Sequence, residues 1–311
     1  MLMVYFPLVI TRWIHFACVF VLFGASLFWL YEKSERASAG PLGLPRTLRV
    51  AKILLRVAAP IAAVSGVLWL ALILINMTHY FGSVFDPEDL ELYFFETPFG
   101  TVSFLRLTLL AIASVIAFLP LRGRWRFVLL VPVSALLLIT QAWFGHSNEG
   151  TGLYRTTMIT VYGIHTLAAA AWAGGLPPLL FAIIEQRRFG AYEPRENTLD
   201  ICARFSLMAI VAVTLVVLSG IANAGFRVEG SFLKLLDSDY GDLLVKKIAI
   251  VAAMLAIAYL NRFVLVPRLR AAGPKDLRHI TWLRYSLTFD IGLGALVLYV
   301  SAILGITMPP Q

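Results

Sequence analysis

The chain has 311 residues, 59% hydrophobic and only 14% charged, with a mean hydropathy of +0.82. A soluble globular domain carries about 25% charged residues, so the composition excludes a soluble enzyme and leaves a membrane protein. The formal net charge of +8 would suggest nucleic acid in a soluble chain; here it has another explanation, the orientation of the spans.

A membrane-crossing helix needs about 20 apolar residues. Eight segments qualify, at 4–30, 53–77, 100–120, 127–145, 156–184, 203–226, 241–266 and 283–307. Helix is the expected form, because an open sheet cannot satisfy its backbone in lipid. The fold class is therefore all-α, a polytopic membrane protein of eight transmembrane helices. The first segment has no basic residue before Arg12, so it reads as a retained span and not as a cleavable signal. It carries Arg12, His15 and Cys18 at one-turn spacing. The second ends near Met77 and His79, and the following loop, 78–99, holds five acids and no base. The third contains Arg106, and the fourth ends near His146. The fifth contains Met158, His165 and Trp172; the seventh Lys247 and Arg262; the eighth Asp290. Loops 31–56, 121–126, 185–204 and 267–284 together hold 18 of the 26 Lys and Arg residues. By the positive-inside rule these loops are cytoplasmic and both termini lie outside. Cys18 and Cys202 fall in different spans and are expected to stay unpaired.

The two parts of the chain echo each other. Ile14-His15 is followed nine residues on by Gly24, and Ile164-His165 by Gly174. Phe99-Gly100 with Arg106 matches Tyr240-Gly241 with Lys247, and Ser65-Gly66 matches Ser219-Gly220. The order suggests a 4+4 repeat, with a first membrane half over 1–145 and a second over 146–311. Four spans is an even number, so the halves run parallel, related by an axis along the membrane normal.

An ionisable side chain at membrane depth is costly and is a site hypothesis by default. His15 and His165 lie at matched depths. The ordinary role for such a histidine is a hydrogen bond to a neighbouring helix; the repeat makes a ligand shared between the two the alternative. Imidazole suits copper, zinc and iron, and a thiolate beside it suits copper(I). Cys18 is open to that reading or to plain packing. Met77, His79, His146 and Met158 gather towards the outer side, where copper would enter. Arg12, Arg106 and Lys247 suit an anionic group, such as a haem propionate or a quinone headgroup. Arg262 and Asp290 are expected to pair with each other. No Walker A, Asp-Lys-Thr-Gly, CxxC or HExxH sequence occurs, which excludes an ATP-driven pump and speaks against an enzyme.

Several short stretches resemble the copper resistance protein D (CopD/PcoD) family of bacterial inner-membrane proteins. They are His165 with Trp172-Ala173-Gly174-Gly175, Arg204-Phe205-Ser206, Ser219-Gly220, Tyr240-Gly241 with Lys247, and Asn261-Arg262 with Pro267. The resemblance is best over about 155–270, and His15 in the first span fits as well. It implies an inner-membrane copper transport protein that imports copper towards the cytoplasm and contributes to copper homeostasis and resistance. It also implies a periplasmic copper-binding partner of the CopC type. The four-span unit is similar to bacterial b-type cytochromes too. On that alternative the cofactor is haem b, with His15 and His165 as axial ligands.

Overall fold

A computed structural model describes residues 2–31, 45–97, 99–144, 151–189, 194–226, 238–273, 276 and 278–308. Among these no strand occurs, and eight helices are long and apolar enough to cross a membrane. They are α1 (Leu2–Tyr31), α2 (Pro45–Thr78), α3 (Gly100–Phe118), α4 (Trp125–Ile139), α5 (Gly152–Phe189), α6 (Pro194–Gly225), α7 (Asp239–Leu260) and α8 (Arg278–Leu304). A π-helical turn, Asn261–Leu265, continues α7 into Val266–Ala271. With an even number of spans, both ends of the chain lie on one side, the terminal face; the other side is the loop face.

Several helices outrun their apolar runs. α2 already includes Arg46, Arg49, Lys52 and Arg56, all expected in a loop, and α6 starts at Pro194. An apolar run marks the thickness of the bilayer, whereas a helix ends where its backbone finds other partners. At the start of α2 that partner comes from α5. Glu185 accepts hydrogen bonds from the N–H groups of Arg46 (3.0 Å) and Thr47 (2.5 Å) and from the Thr47 hydroxyl. A carboxylate there answers the unpaired N–H groups and the positive end of the helix dipole.

α1 and α5 form the centre. They cross where Gly24 meets Gly174, and a Cβ on Gly24 would fall 2.3 Å from the Gly174 carbonyl carbon. Only hydrogen side chains permit that backbone approach. In the first half α1, α2, α3 and α4 close into a ring, each packed on the next. In the second half α5 packs on α6 and α8, and α8 on α7. Yet α7 does not pack along α6; it reaches α6 chiefly through Val266–Ala271, near the loop face. The second bundle is thus open between α6 and α7 towards the terminal face.

Candidate functional site

His15 is fully buried where α1 meets α2 and α3. Its Nδ1 lies 2.9 Å from the Ala62 carbonyl, which can only accept, so Nδ1 carries the proton. Nε2 is left to accept from the Arg106 guanidinium at 2.6 Å. Arg106, itself 1% exposed, also donates to the Leu137 carbonyl (2.9 Å) and to Thr140 Oγ1 (2.8 Å). The Trp69 and Phe144 rings flank it at 5.1 and 5.3 Å. Gly66 leaves the space for the imidazole, since a Cβ there would stand 3.1 Å from His15 Cε1. One turn nearer the terminal face Arg12 is 4% exposed, held by the Phe16 and Trp69 rings and fitted against Gly305. Among the described residues neither arginine forms an ion pair. This half therefore presents buried positive charge and a histidine with both nitrogens engaged.

His165 of α5 occupies the corresponding place, against α6, and is built differently. Its Nδ1 lies 3.1 Å from Ser219 Oγ. The Ser219 hydroxyl donates back to the Leu215 carbonyl, so the histidine must be the donor in their contact. That fixes the tautomer. The ring also hydrogen-bonds the Val216 backbone carbonyl, which can only accept and so shares the Nδ1 proton, while Nε2 carries the lone pair, with no hydrogen bond shown from it among the described residues. An oriented imidazole with one nitrogen held and the other free is the arrangement a metal ligand needs. Gly220 makes room, its missing Cβ lying 3.4 Å from His165 Cε1. Half-buried Lys247 of α7 is close enough for its charge to act on the ring. This site faces the opening between α6 and α7.

The expectation of one ligand shared by His15 and His165 does not fit this geometry. Nine residues along an α-helix is two and a half turns, at 100° per residue. Each histidine therefore lies on the opposite side of its helix from the glycine that follows. Because Gly24 and Gly174 face each other, the histidines face outward, His15 into α2 and His165 into α6. A haem held axially by this pair is ruled out for the same reason.

The other candidates are dispersed. Met77 is 49% exposed at the end of α2, and exposed His79 ends that helix in a left-handed turn, φ 56°. Met158 is buried on α5, two turns from His165 on the same helix face. His146 lies outside the described residues. Cys18 and Cys202 are free thiols packed with the apolar core, and Trp172 is a core side chain. No three His, Cys, Asp or Glu side chains converge among the described residues.

The expected Arg262–Asp290 pair is not formed. Arg262 donates to Ser206 Oγ on α6 and lies over the Phe263 ring. Its neighbour Asn261 faces α8 and accepts from Ser286 Oγ at 2.6 Å. Consecutive helical residues point about 100° apart or a little less in a π turn, so Arg262 is turned away from α8. Asp290, 1% exposed, is left with Oδ1 lacking any hydrogen-bond partner. The charge count of the spans was legible in the sequence; which way each charge points was not. Met254 also escaped notice, although Lys247, Met254 and Asn261 recur every seven residues and so share one face of α7.

Two family models match the chain: Copper resistance protein D-like, N-terminal domain, over residues 1–156, and Copper resistance protein D over 199–304. The chain belongs to the copper resistance protein D family. It is 28% identical over 312 residues to inner membrane protein YebZ of Escherichia coli (strain K12), covering 99% of this chain and 100% of the relative. It is 27% identical over 307 residues to copper resistance protein D of Pseudomonas syringae pv. tomato, covering 97% and 96%. Copper transport protein CutJ of Bacillus subtilis (strain 168) is 26% identical over 298 residues, covering 92% of this chain and 49% of the relative. No solved structure matches. The family and the eight apolar helices make this a multi-pass inner-membrane protein concerned with copper.

Proposed function

We propose that this protein is a carrier, not an enzyme, that moves copper from the periplasm towards the cytoplasm and so contributes to copper homeostasis and resistance. The observation that carries the reading is His165, whose Nε2 lone pair is unengaged beside the opening between α6 and α7. Imidazole nitrogen is a good ligand for copper. The first half is a poor route for a cation, because Arg12 and Arg106 are buried there without a carboxylate. Copper, as cargo, enters through the second half.

The terminal face is assigned to the periplasm, since the basic loops lie on the other side. Copper handed over by a periplasmic protein of the CopC type meets the exposed His79 and Met77, with His146 as a further ligand read from the sequence, before reaching Met158 and His165. The halves 1–145 and 146–311 are read as a parallel repeat in which the first serves as scaffold. Matched contacts support this: His15 bonds the Ala62 carbonyl beside Gly66, as His165 bonds the Val216 carbonyl beside Gly220.

The test is transport of copper(I), held reduced with ascorbate, into vesicles containing the purified protein. The wild type should accumulate copper in the lumen, and His165→Gln should lose at least ten-fold in rate while remaining folded. Wild-type vesicles no more permeable to copper than empty ones would overturn the reading. A strong Soret band in the purified protein would return haem to consideration.

A further inference from the structure

We propose that Met254, Asp290 and the Ala173 carbonyl form a second copper(I) site in the middle of the second half, on the loop-face side of His165, through which cargo leaves. The inference rests on the copper-carrier reading above and names the inner part of its route.

Three helices bring different donors to one level. On α8, Gly294 faces both α7 and α5: a Cβ there would stand 3.6 Å from Met254 Cε and 3.8 Å from Ala173 Cβ. Asp290 precedes Gly294 by four residues, so it lies on the same face one turn nearer the loop face. It is 1% exposed, and its Oδ1 has no hydrogen-bond partner. Met254 is 2% exposed. The third donor is backbone. Pro177 lacks the N–H that would bond the Ala173 carbonyl four residues back. That carbonyl points along α5 towards the loop face, the direction in which Asp290 lies from Gly294.

A thioether, a carboxylate and a carbonyl deprived of its usual helical N–H partner suit a cation site. The thioether selects a soft ion, and one carboxylate balances a single positive charge, which together favour copper(I) over copper(II). An ionised carboxylate alone at this depth is expensive, so Asp290 is either neutralised by a proton or balanced by a cation. The nearest candidate for that role, Arg262, is engaged by Ser206 instead. Gly294 keeps the space between the donors free of side chain. Further towards the loop face, Ser286 and Asn261 continue the polar face at the π turn of α7, a type of irregularity often found at functional sites.

The test uses the full chain with copper(I) alone as probe, under ascorbate. X-ray absorption on the copper-loaded protein should show a copper–sulfur shell in the wild type, and Met254→Leu should diminish it, leaving only the share that Met77 and Met158 carry. In vesicles, Met254→Leu and Asp290→Asn should each slow copper entry at least ten-fold, while His165-dependent binding from the outside persists. Met254→Leu is a near-isosteric swap that preserves packing, so it carries the test if Asp290→Asn fails to accumulate. Rates equal to wild type in Met254→Leu, with His165→Gln inactive, would overturn this site and leave the carrier reading standing. Wild-type protein that moves no copper would overturn both.

Discussion

At the scale of single residues, two histidines with the same sequence surroundings have different jobs. His15 holds four helices together, because its acceptor nitrogen receives a guanidinium that also bonds α4. Removing it strands one arm of Arg106 in a dry interior, whereas the Ala62 carbonyl keeps the Ser65 hydroxyl. A buried hydrogen bond to a charged group is typically worth about 1.5–3 kcal/mol, so His15→Ala should lower stability by that amount. His165→Ala gives up only neutral hydrogen bonds, to Ser219 and the Val216 carbonyl, each worth about 0.5–1.5 kcal/mol. Thermal unfolding of the purified proteins in detergent measures the difference. Equal losses in the two variants would show that the Arg106 contact does not bear on stability. Their distinct roles were hidden in the sequence because a histidine's use depends on its partners' remaining valences. The proton of Ser219 is spent on its own helix, whereas Arg106 has protons to give.

At the scale of helices, the decisive contact is glycine on glycine. A methyl group on Gly24 would collide with the Gly174 backbone, and one on Gly174 would fall 2.1 Å from the Phe20 carbonyl oxygen. Neither obstacle is a side chain that can turn aside. Gly24→Ala and Gly174→Ala should each cost about 3 kcal/mol or more, at the upper end for overpacking. Gly225→Ala, with nothing within 4 Å, should be neutral or slightly stabilising through the lost flexibility of glycine. The same unfolding assay separates them; a tolerated Gly174→Ala would mean the central pair can part. The eight spans were legible because their apolar runs are as long as a bilayer is thick. The Gly24–Gly174 echo was legible too, but its meaning depended on angle. A nine-residue offset places histidine and glycine on opposite sides of the helix, so the matched glycines that join the halves also turn the histidines apart. The opening between α6 and α7 was not legible, because both helices are largely apolar and lipid satisfies such a surface as well as a neighbouring helix does.

At the scale of the whole molecule, function depends on which face meets the periplasm. Bases cluster on the loop face: among described residues, Arg122, Arg124, Arg187, Arg188, Arg268 and Arg270 all lie at that end of their helices. The segment between α2 and α3, on the terminal face, is acidic and ordered: Asp86 caps Pro87–Glu91, and Tyr93 docks on Ser103 at 3.0 Å. On the proposed positive-inside orientation the terminal face is outside, and copper bound near His165 would be drawn inward past Met254 and Asp290. Labelling from outside decides the matter, with Cys18 and Cys202 first replaced by alanine. Ser83 is an unsuitable reporter, being fully buried and hydrogen-bonded to Thr78 at 2.8 Å. Glu88 and Ala271 are both exposed, on opposite faces. An impermeant maleimide added to intact cells whose outer membrane has been made permeable should label Glu88→Cys and spare Ala271→Cys until the inner membrane is broken. The reverse pattern would put His165 nearer the cytoplasm, and the same column of ligands would then serve export.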